Sequence, residues 1–193
     1  IGVQLLPTLF RDFKNLYPEI ELEVVEAGGI DSLRMIENEE LDLAVTNYDD
    51  SFSPNLHYRK LFKSEACFCT YPDHPLAQKK YVDTKDIANE PLVLLNGGFF
   101  VNRLIYQNFQ QALTAPKVIL HSSQLHTVKN LISSQIASSF LMRQAITPSD
   151  NIIPLSLKKP LFINSGIVTK RGRQIYKKKK KLIEFICDNQ PLG

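Results

Sequence analysis

The sequence predicts an α/β fold, and three features of its first 45 residues carry the prediction. Apolar side chains recur at helical spacing from Leu5 through Leu9 to Phe13. Apolar residues then alternate over residues 20–24, as in a strand, and Gly28-Gly29 breaks the chain. A helix and a second strand follow, the latter over residues 41–45. This β-α-β rhythm is typical of a parallel sheet with helices on its faces.

The same alternation of elements continues to the end of the chain. The first helix is expected to end at Tyr17, because the residue before a proline avoids the helical region. The apolar runs predict further strands at residues 66–71, 92–95, 118–120, 136–141, 152–155 and 162–170. Helical spacing predicts helices over residues 104–113, 125–132 and about 174–187.

Composition places the chain among globular proteins. Its 193 residues, 44% of them hydrophobic, suffice for one large domain or two small lobes. No apolar run approaches the roughly 20 residues that cross a bilayer, and no signal peptide is visible. The chain begins at Ile1 without an initiator methionine, so we expect a preceding segment. Three cysteines fit a reducing cytosol, and we interpret Cys67 and Cys69 as buried strand residues rather than metal ligands.

Charge is distributed unevenly along the chain. Residues 1–50 carry three basic and twelve acidic side chains, whereas residues 151–193 carry ten basic and two acidic ones. Such asymmetry marks either a nucleic-acid surface or two lobe faces that attract each other or a partner subunit, and we favour the second interpretation. The lysine run at 177–181 is read as a solvated helix face in which only Lys179 turns toward the apolar stripe. A nucleic-acid contact is the alternative interpretation of this run.

The sequence offers polar turns before helices as candidate binding sites, rather than a set of catalytic residues. Nucleotide-binding, serine-hydrolase and zinc-protease motifs are absent from the sequence, and its four histidines lack partners at metal-ligand spacing. We therefore expect no enzyme, no metal and no cofactor. Polar turns at residues 96–102 and 122–127 each follow a predicted strand and precede a helix, and 28–29 forms a third such turn. Helix N-termini beyond the carboxyl ends of strands are suited to anions.

Three motifs resemble the effector-binding domain of LysR-type transcription regulators. They are LLPTLFRDF at residues 5–13 with YPEI at 17–20, LDLAV at 41–45, and YPDHPLA at 71–77. They occur in the order and spacing of that family, and the similarity extends to the final helix. The segments at 26–29, 95–102 and 123–126 most resemble the CidR-like branch, which regulates carbon overflow metabolism.

The resemblance implies a fold and a domain organisation. The fold is α/β, with two Rossmann-like lobes joined by two crossover strands, as in type 2 periplasmic binding proteins. Lobe I is expected to comprise residues 1–69 and 168–193, and lobe II residues 70–167, with crossovers near Thr70 and Val168. A winged helix-turn-helix and the first strand of the sensing domain are expected to precede Ile1.

The resemblance also implies a function. A small organic anion, such as acetate or pyruvate, is expected to bind in the cleft between the lobes and to alter DNA binding by a cytoplasmic homodimer or tetramer. DNA would be bound only through the N-terminal domain. Position 29, where many relatives carry a hydroxyl, would offer only a backbone N–H. The predicted effector contacts are Gly29, Phe99, Phe100, Asn102, Ser123, Gln124 and His126. A solute-binding protein of a transporter and an enzyme on the same scaffold are the rival interpretations.

Overall fold

The elements of the fold are given by a computed structural model that describes residues 2–49, 51–174 and 176–189. The helices are α1 Gly2–Thr8, α2 Lys14–Leu16, α3 Gly29–Glu37, α4 Phe100–Gln111, α5 Leu125–Ser133 and α6 Lys177–Asp188, with a π-helical turn at Leu9–Phe13. The strands are β1 Ala44–Tyr48, β2 Leu56–Thr70, β3 Tyr81–Val82, β4 Leu92–Leu95, β5 Val118–Ser122, β6 Ser139–Met142, β7 Ile153–Leu157 and β8 Leu161–Lys170. No helix within the described residues is long and apolar enough to cross a membrane.

The chain divides into two units. Unit 1 comprises residues 1–63 and 164–193, and unit 2 comprises residues 64–163. The divisions fall inside β2 and β8, so these two strands carry the chain from one unit to the other. The positions predicted for the crossovers, Thr70 and Val168, lie in the same two strands.

Unit 1 packs its helices around a core centred on Phe13. Its ring lies 5.2 Å from that of Phe185 in α6, edge to face, and Ile167 of β8 belongs to the same core. Strand β1 pairs with β8 in antiparallel register, from Ala44 opposite Val168 to Tyr48 opposite Asn164. The prediction of a parallel sheet in this part of the chain is therefore wrong, because the neighbour of β1 is a returning crossover strand.

The strand predicted at residues 20–24 does not form. This segment is extended, with Ile20 buried but Val24 and Val25 largely exposed. A strand needs a hydrogen-bonded neighbour, and none of the described residues pairs with this segment. The next strand also begins later than predicted, at Ala44 instead of residue 41, because the N–H groups of Glu40 and Leu41 still close the end of α3 on Met35 O.

The strands of unit 2 belong to two sheets. In the first, which is mixed, β6 and β7 pair with β2 in antiparallel register and β3 pairs with β7 in parallel register, whereas β4 and β5 form a separate two-stranded parallel sheet. Ser138 joins β4 to the start of β6, since Val93 N–H donates to Ser138 O and Ser138 N–H to Pro91 O, each over 2.9 Å. Helices α4 and α5 bury Phe109 and Ile132 in the core of this unit.

Both strand cysteines of unit 2 lie in this core, as predicted. Cys67 and Cys69 are fully buried in β2. Burial raises the pKa of the Cys67 thiol to about 12 and raises that of Cys69 still further. No cluster of three potential metal ligands occurs among the described residues. These thiols are therefore inert structural groups.

Candidate functional site

Two polar turns lie side by side at the carboxyl ends of the two-stranded β4–β5 sheet. β4 and β5 are parallel neighbours, and their last residues, Leu95 and Ser122, face each other in the register. The N–H of Asn96 donates to Ser122 O over 2.9 Å, which ties the start of one turn to the end of the other strand. The carboxyl ends of both strands thus meet where the sequence analysis expected an anion to bind. We call the turns at residues 96–99 and 123–124, with the helix starts that follow them, the paired-turn edge.

The first turn leads into α4, whose N-terminus has no side-chain cap. Phe99 occupies the cap position in an extended conformation, and its N–H donates to Asn96 O over 3.3 Å. Asn102 N–H returns to Phe99 O over 3.1 Å. The N–H group of Val101 precedes the helical ladder and has no intrahelical acceptor.

The buried side chain of Asn102 stabilises this turn through hydrogen bonds to its backbone. It is only 5% exposed, and its Nδ2 donates to Asn96 O over 2.9 Å and to Leu95 O. Its Oδ1 is buried without a hydrogen-bond partner among the described residues. Both N–H hydrogens of Nδ2 thus bond to backbone carbonyl groups, and the remaining polar atom, Oδ1, is a hydrogen-bond acceptor. The side chain of Asn102 therefore supports the turn, and a direct contact between it and an effector stays a prediction.

The second turn leads into α5, which is likewise uncapped by side chains. Gln124 is the cap residue and is extended, and its N–H donates to Ser122 Oγ over 3.1 Å. Val128 is the first residue whose N–H reaches back to Gln124 O, over 3.2 Å. The N–H groups of Leu125, His126 and Thr127 therefore lie ahead of the ladder, at the positive end of the helix dipole.

The predicted side chains on this turn are exposed. Ser123, Gln124 and His126 all face solvent. Thr127 Oγ1 donates to Gln124 Oε1 over 3.2 Å, and the His126 ring lies 3.1 Å from Asn130 Nδ2, measured at Nε2. With the amide donating, Nε2 accepts and Nδ1 carries the imidazole proton. These local contacts keep the side chains beside the open N–H groups.

The remaining predicted residues are placed differently. Phe99 is half-buried against the core of unit 2, and Phe100 is 3% exposed. Gly29 belongs to unit 1, where it is the buried first residue of α3. Gly28, which precedes it, caps α3 without a side chain, and its carbonyl oxygen accepts from Ser32 N–H and Oγ. The structure thus brings six of the predicted residues to the paired-turn edge, namely Phe99, Phe100, Asn102, Ser123, Gln124 and His126, whereas Gly29 lies in the other unit.

Sequence reasoning missed the groups that order the turns. Asn96 Oδ1 accepts from Gly98 N–H over 3.4 Å, which folds its own turn, and Ser122 Oγ fixes the N–H of Gln124. Asparagine before Gly-Gly and serine two residues before a helix cap are known signatures of such turns. The sequence therefore contained the signal, although Asn96 and Ser122 were named only as members of polar turns and not as the side chains that order them.

Comparison with protein families gives one match to almost the whole chain. The family model described as the LysR substrate binding domain matches residues 1–190. Among characterised proteins, the chain is 26% identical over 196 residues to the transcriptional dual regulator GltC of Bacillus subtilis (strain 168), covering 96% of this chain and 63% of GltC. It is 22% identical over 150 residues to a probable nitrogen assimilation transcriptional activator of Synechocystis sp., covering 77% of this chain and 48% of that protein. The chain thus spans about half to two thirds of the length of these relatives.

Comparison with solved structures shows the fold. The effector binding domain of QuiR in complex with shikimate superposes with a TM-score of 0.81 at 20% identity, covering 97% of this chain and 90% of that one. The regulatory domain of Synechocystis PCC6803 CcmR in complex with 2-PG superposes with a TM-score of 0.87 at 17% identity, covering 97% and 91%. The predicted α/β fold, with two lobes and two crossover strands as in type 2 periplasmic binding proteins, is confirmed.

Proposed function

This chain belongs to the LysR substrate-binding domain family, and on that premise we propose that it senses a small organic anion at the paired-turn edge for a transcription regulator. The observation that carries the proposal is the pair of uncapped helix N-termini following neighbouring parallel strands. The relatives named above are transcription regulators, so a transport binding protein and an enzyme are not favoured.

The physical basis of the proposal is that several hydrogen-bond donors lie close together at the paired-turn edge. A helix N-terminus carries about half a positive charge, because its first N–H groups lie ahead of the hydrogen-bonded ladder and its peptide dipoles align. Those of α5, at Leu125 to Thr127, are flanked by exposed donors on Ser123, Gln124 and His126. A hydrogen bond to a charged group contributes about 1.5–3 kcal/mol. Two or three such bonds suffice for an affinity in the micromolar to millimolar range once the entropy of association is subtracted.

A small carboxylate fits this set of donors best. The site offers N–H and O–H groups and half-buried Phe99, but no described cation at the turn itself. Such a site recognises one delocalised negative charge on a compact molecule. Two structural neighbours were solved with shikimate, a carboxylate, and with 2-PG. The resemblance to CidR-like regulators suggests acetate or pyruvate. A contribution from Gly29 stays a prediction.

The regulatory consequence is part of the proposal. Effector binding would shift the population of domain conformations and so change how an oligomer, a homodimer or tetramer, engages DNA in the cytoplasm. DNA recognition itself would belong to an N-terminal winged helix-turn-helix, and no cofactor would be needed.

A thermal-shift screen tests the proposal. The purified chain is heated with acetate, pyruvate, lactate, malate, aromatic acids, amino acids and sugars, because a ligand at about 100 times its dissociation constant adds roughly 2.7 kcal/mol of stability. We expect a selective shift with one class of carboxylate. A shift with sugars alone would contradict the proposal.

Substitutions then locate the site. Ser123→Ala and His126→Leu remove exposed donors, so each should weaken binding of the selected acid several-fold without unfolding the protein. Ser134→Ala is the matched control, because it changes an exposed serine at the opposite end of α5. Leu125→Pro removes one N–H at a position where proline is tolerated, since Gln124 is already extended. Leu125→Ala truncates the same side chain but keeps the N–H. Equal affinities of all five variants would refute the site assignment.

A further inference from the structure

The C-terminal segment of unit 1 concentrates positive charge. Between residues 170 and 183 there are eight lysine and arginine side chains and no acidic residue. The segment comprises the end of β8, a turn at Gly172 with φ of 76°, and the first turns of α6. Its cationic residues are Lys170, Arg171, Arg173 and the five lysines at 177–181.

Part of this charge is neutralised by the acidic N-terminal half of the same unit. Lys170 lies 2.5 Å from Glu39, and Arg173 lies 3.9 Å from both Glu39 and Asp42. Lys181 lies 3.3 Å from Glu19 and 4.2 Å from the centre of the Tyr17 ring. The opposite charges seen along the sequence are therefore partly paired within one unit, whereas attraction between the faces of two lobes or to a partner subunit stays a prediction.

Three lysines are left facing solvent. Lys177 and Lys178 are exposed and form no ion pair within 4 Å among the residues that the structure describes. Lys180 is 71% exposed, and its contact with Glu184 is long, at 3.8 Å. Lys179, by contrast, is half-buried, and burial lowers its pKa. We call Lys177, Lys178 and Lys180 the lysine face.

Helix stability does not explain the lysine face. Cations are unfavourable near a helix N-terminus, where the dipole is positive and the backbone N–H groups are unpaired. Helix α6 has lysines throughout its first turn, whereas its acidic residues, Glu184 and Asp188, come later. The charges of α6 are therefore arranged opposite to the order that stabilises a helix. A bound external anion would offset the unfavourable interaction of the lysines with the positive end of the helix dipole.

We propose that the lysine face binds the phosphate backbone of duplex DNA. Phosphates follow one another about every 3.4 Å along each strand, and lysines around one helical turn can reach several of them. Protein interfaces disfavour lysine in their cores, and the accessible positions of this helix face are otherwise charged. The inference rests on the proposed function, because a DNA-binding regulator brings duplex DNA within reach. It adds an auxiliary, sequence-independent contact to the N-terminal domain.

Fluorescence anisotropy with a labelled 30-base-pair duplex of arbitrary sequence tests this inference on the chain itself. The triple variant K177Q/K178Q/K180Q is compared with the control K80Q/K158Q/K159Q, which removes three exposed lysines of unit 2 and the same charge. Loss of three phosphate contacts lowers the slope of log affinity against log salt by about 2.7. Each contact is worth about eightfold in affinity at 0.1 M salt relative to 1 M salt, so losing one contact should weaken binding about eightfold and losing all three about 500-fold. The control should stay within about threefold of wild type.

Three results would overturn the inference. They are equal losses in both triple variants, no salt-dependent binding of the duplex by the wild type, or much tighter binding of a single-stranded RNA of equal length. The last would instead indicate stacking of bases on Tyr176, which is 67% exposed beside the lysine face. The acid screen is repeated on K177Q/K178Q/K180Q, which should keep the wild-type thermal shift. A lost DNA contact with an intact acid shift, or the reverse, separates failure of this inference from failure of the proposed function.

Discussion

Asn102 provides a sharp test of how the paired-turn edge is ordered. In Asn102→Asp the side chain keeps its size, but oxygen replaces the Nδ2 that donates to the carbonyl groups of Leu95 and Asn96. Two hydrogen bonds worth about 1 kcal/mol each are lost, and buried carbonyl groups left without a donor cost about 1–3 kcal/mol more. The expected loss of unfolding free energy is therefore about 3 kcal/mol or more. In Asn102→Ala it is smaller, about 2 kcal/mol, because the partnerless Oδ1 disappears as well.

Urea unfolding followed by circular dichroism measures both losses. Asn130→Asp is the control, because the side chain of this exposed asparagine hydrogen-bonds to the His126 ring of its own helix and not to the backbone of either turn among the described residues. It should stay within about 0.5 kcal/mol of wild type. The reasoning is refuted if Asn102→Asp also lies within that margin, or if Asn102→Ala is the more damaging change.

Three further predictions concern the rest of the molecule. Gly166→Ala should destabilise the chain by about 1–3 kcal/mol or more, because the Cβ of the new alanine would lie 2.2 Å from Arg59 O. Gly97→Ala should be nearly neutral in the same urea assay, because no atom lies within 4 Å of the Cβ that it adds. Burial opposes ionisation of Asp150, but hydrogen bonds from Lys129 and Thr147 prevail and lower its pKa. Asp150→Asn should therefore cost about 1.5–3 kcal/mol at pH 7, a difference that must shrink as the pH falls below about 4, the ordinary pKa of aspartate. Cys187 should react with a thiol reagent in the native protein while buried Cys67 stays unreactive until unfolding, and fast reaction of all thiols would contradict the structure.

Elements with a complete local signal were predictable from the sequence. The strand at residues 92–95 was predicted at its exact bounds, because four consecutive apolar residues are all buried. Helix α5 follows from its apolar spacing, with Val128 and Ile132 buried on one face. The lysine run was also read correctly in one respect, since Lys179 is more buried than its neighbours Lys178 and Lys180.

Elements that depend on distant partners were not predictable. The first half of β2, Leu56 to Lys63, is mostly polar and half-exposed, and it is a strand because β8 lies beside it. Residues 20–24 have the strand pattern without a described partner. Leu113 was placed on a helix, but it follows the end of α4 with a φ of 55° and is 95% exposed. Position within the sheet, rather than local pattern, decides these cases.

The location of the candidate site was predictable from the sequence, whereas the contacts of its individual side chains were not. Turns after parallel strands indicated the edge, because a short apolar run followed by a polar turn and a helix has few other arrangements. Asn102 donates both N–H hydrogens of its side chain to carbonyl groups at the end of β4. No local sequence pattern specifies these acceptors. The assignment of Asn102 as an effector contact was therefore the least secure inference from residue type alone.

The central claim is that open N–H groups at the paired-turn edge bind a small organic anion. Proton–nitrogen correlation spectra of the labelled chain, titrated with the acid selected by the thermal screen, observe these groups directly. We expect the largest shifts at Leu125, His126, Thr127 and Val101, and we expect these shifts to saturate with one dissociation constant. Saturable shifts confined to residues outside both turns, or no saturable shift with any carboxylate, would contradict it.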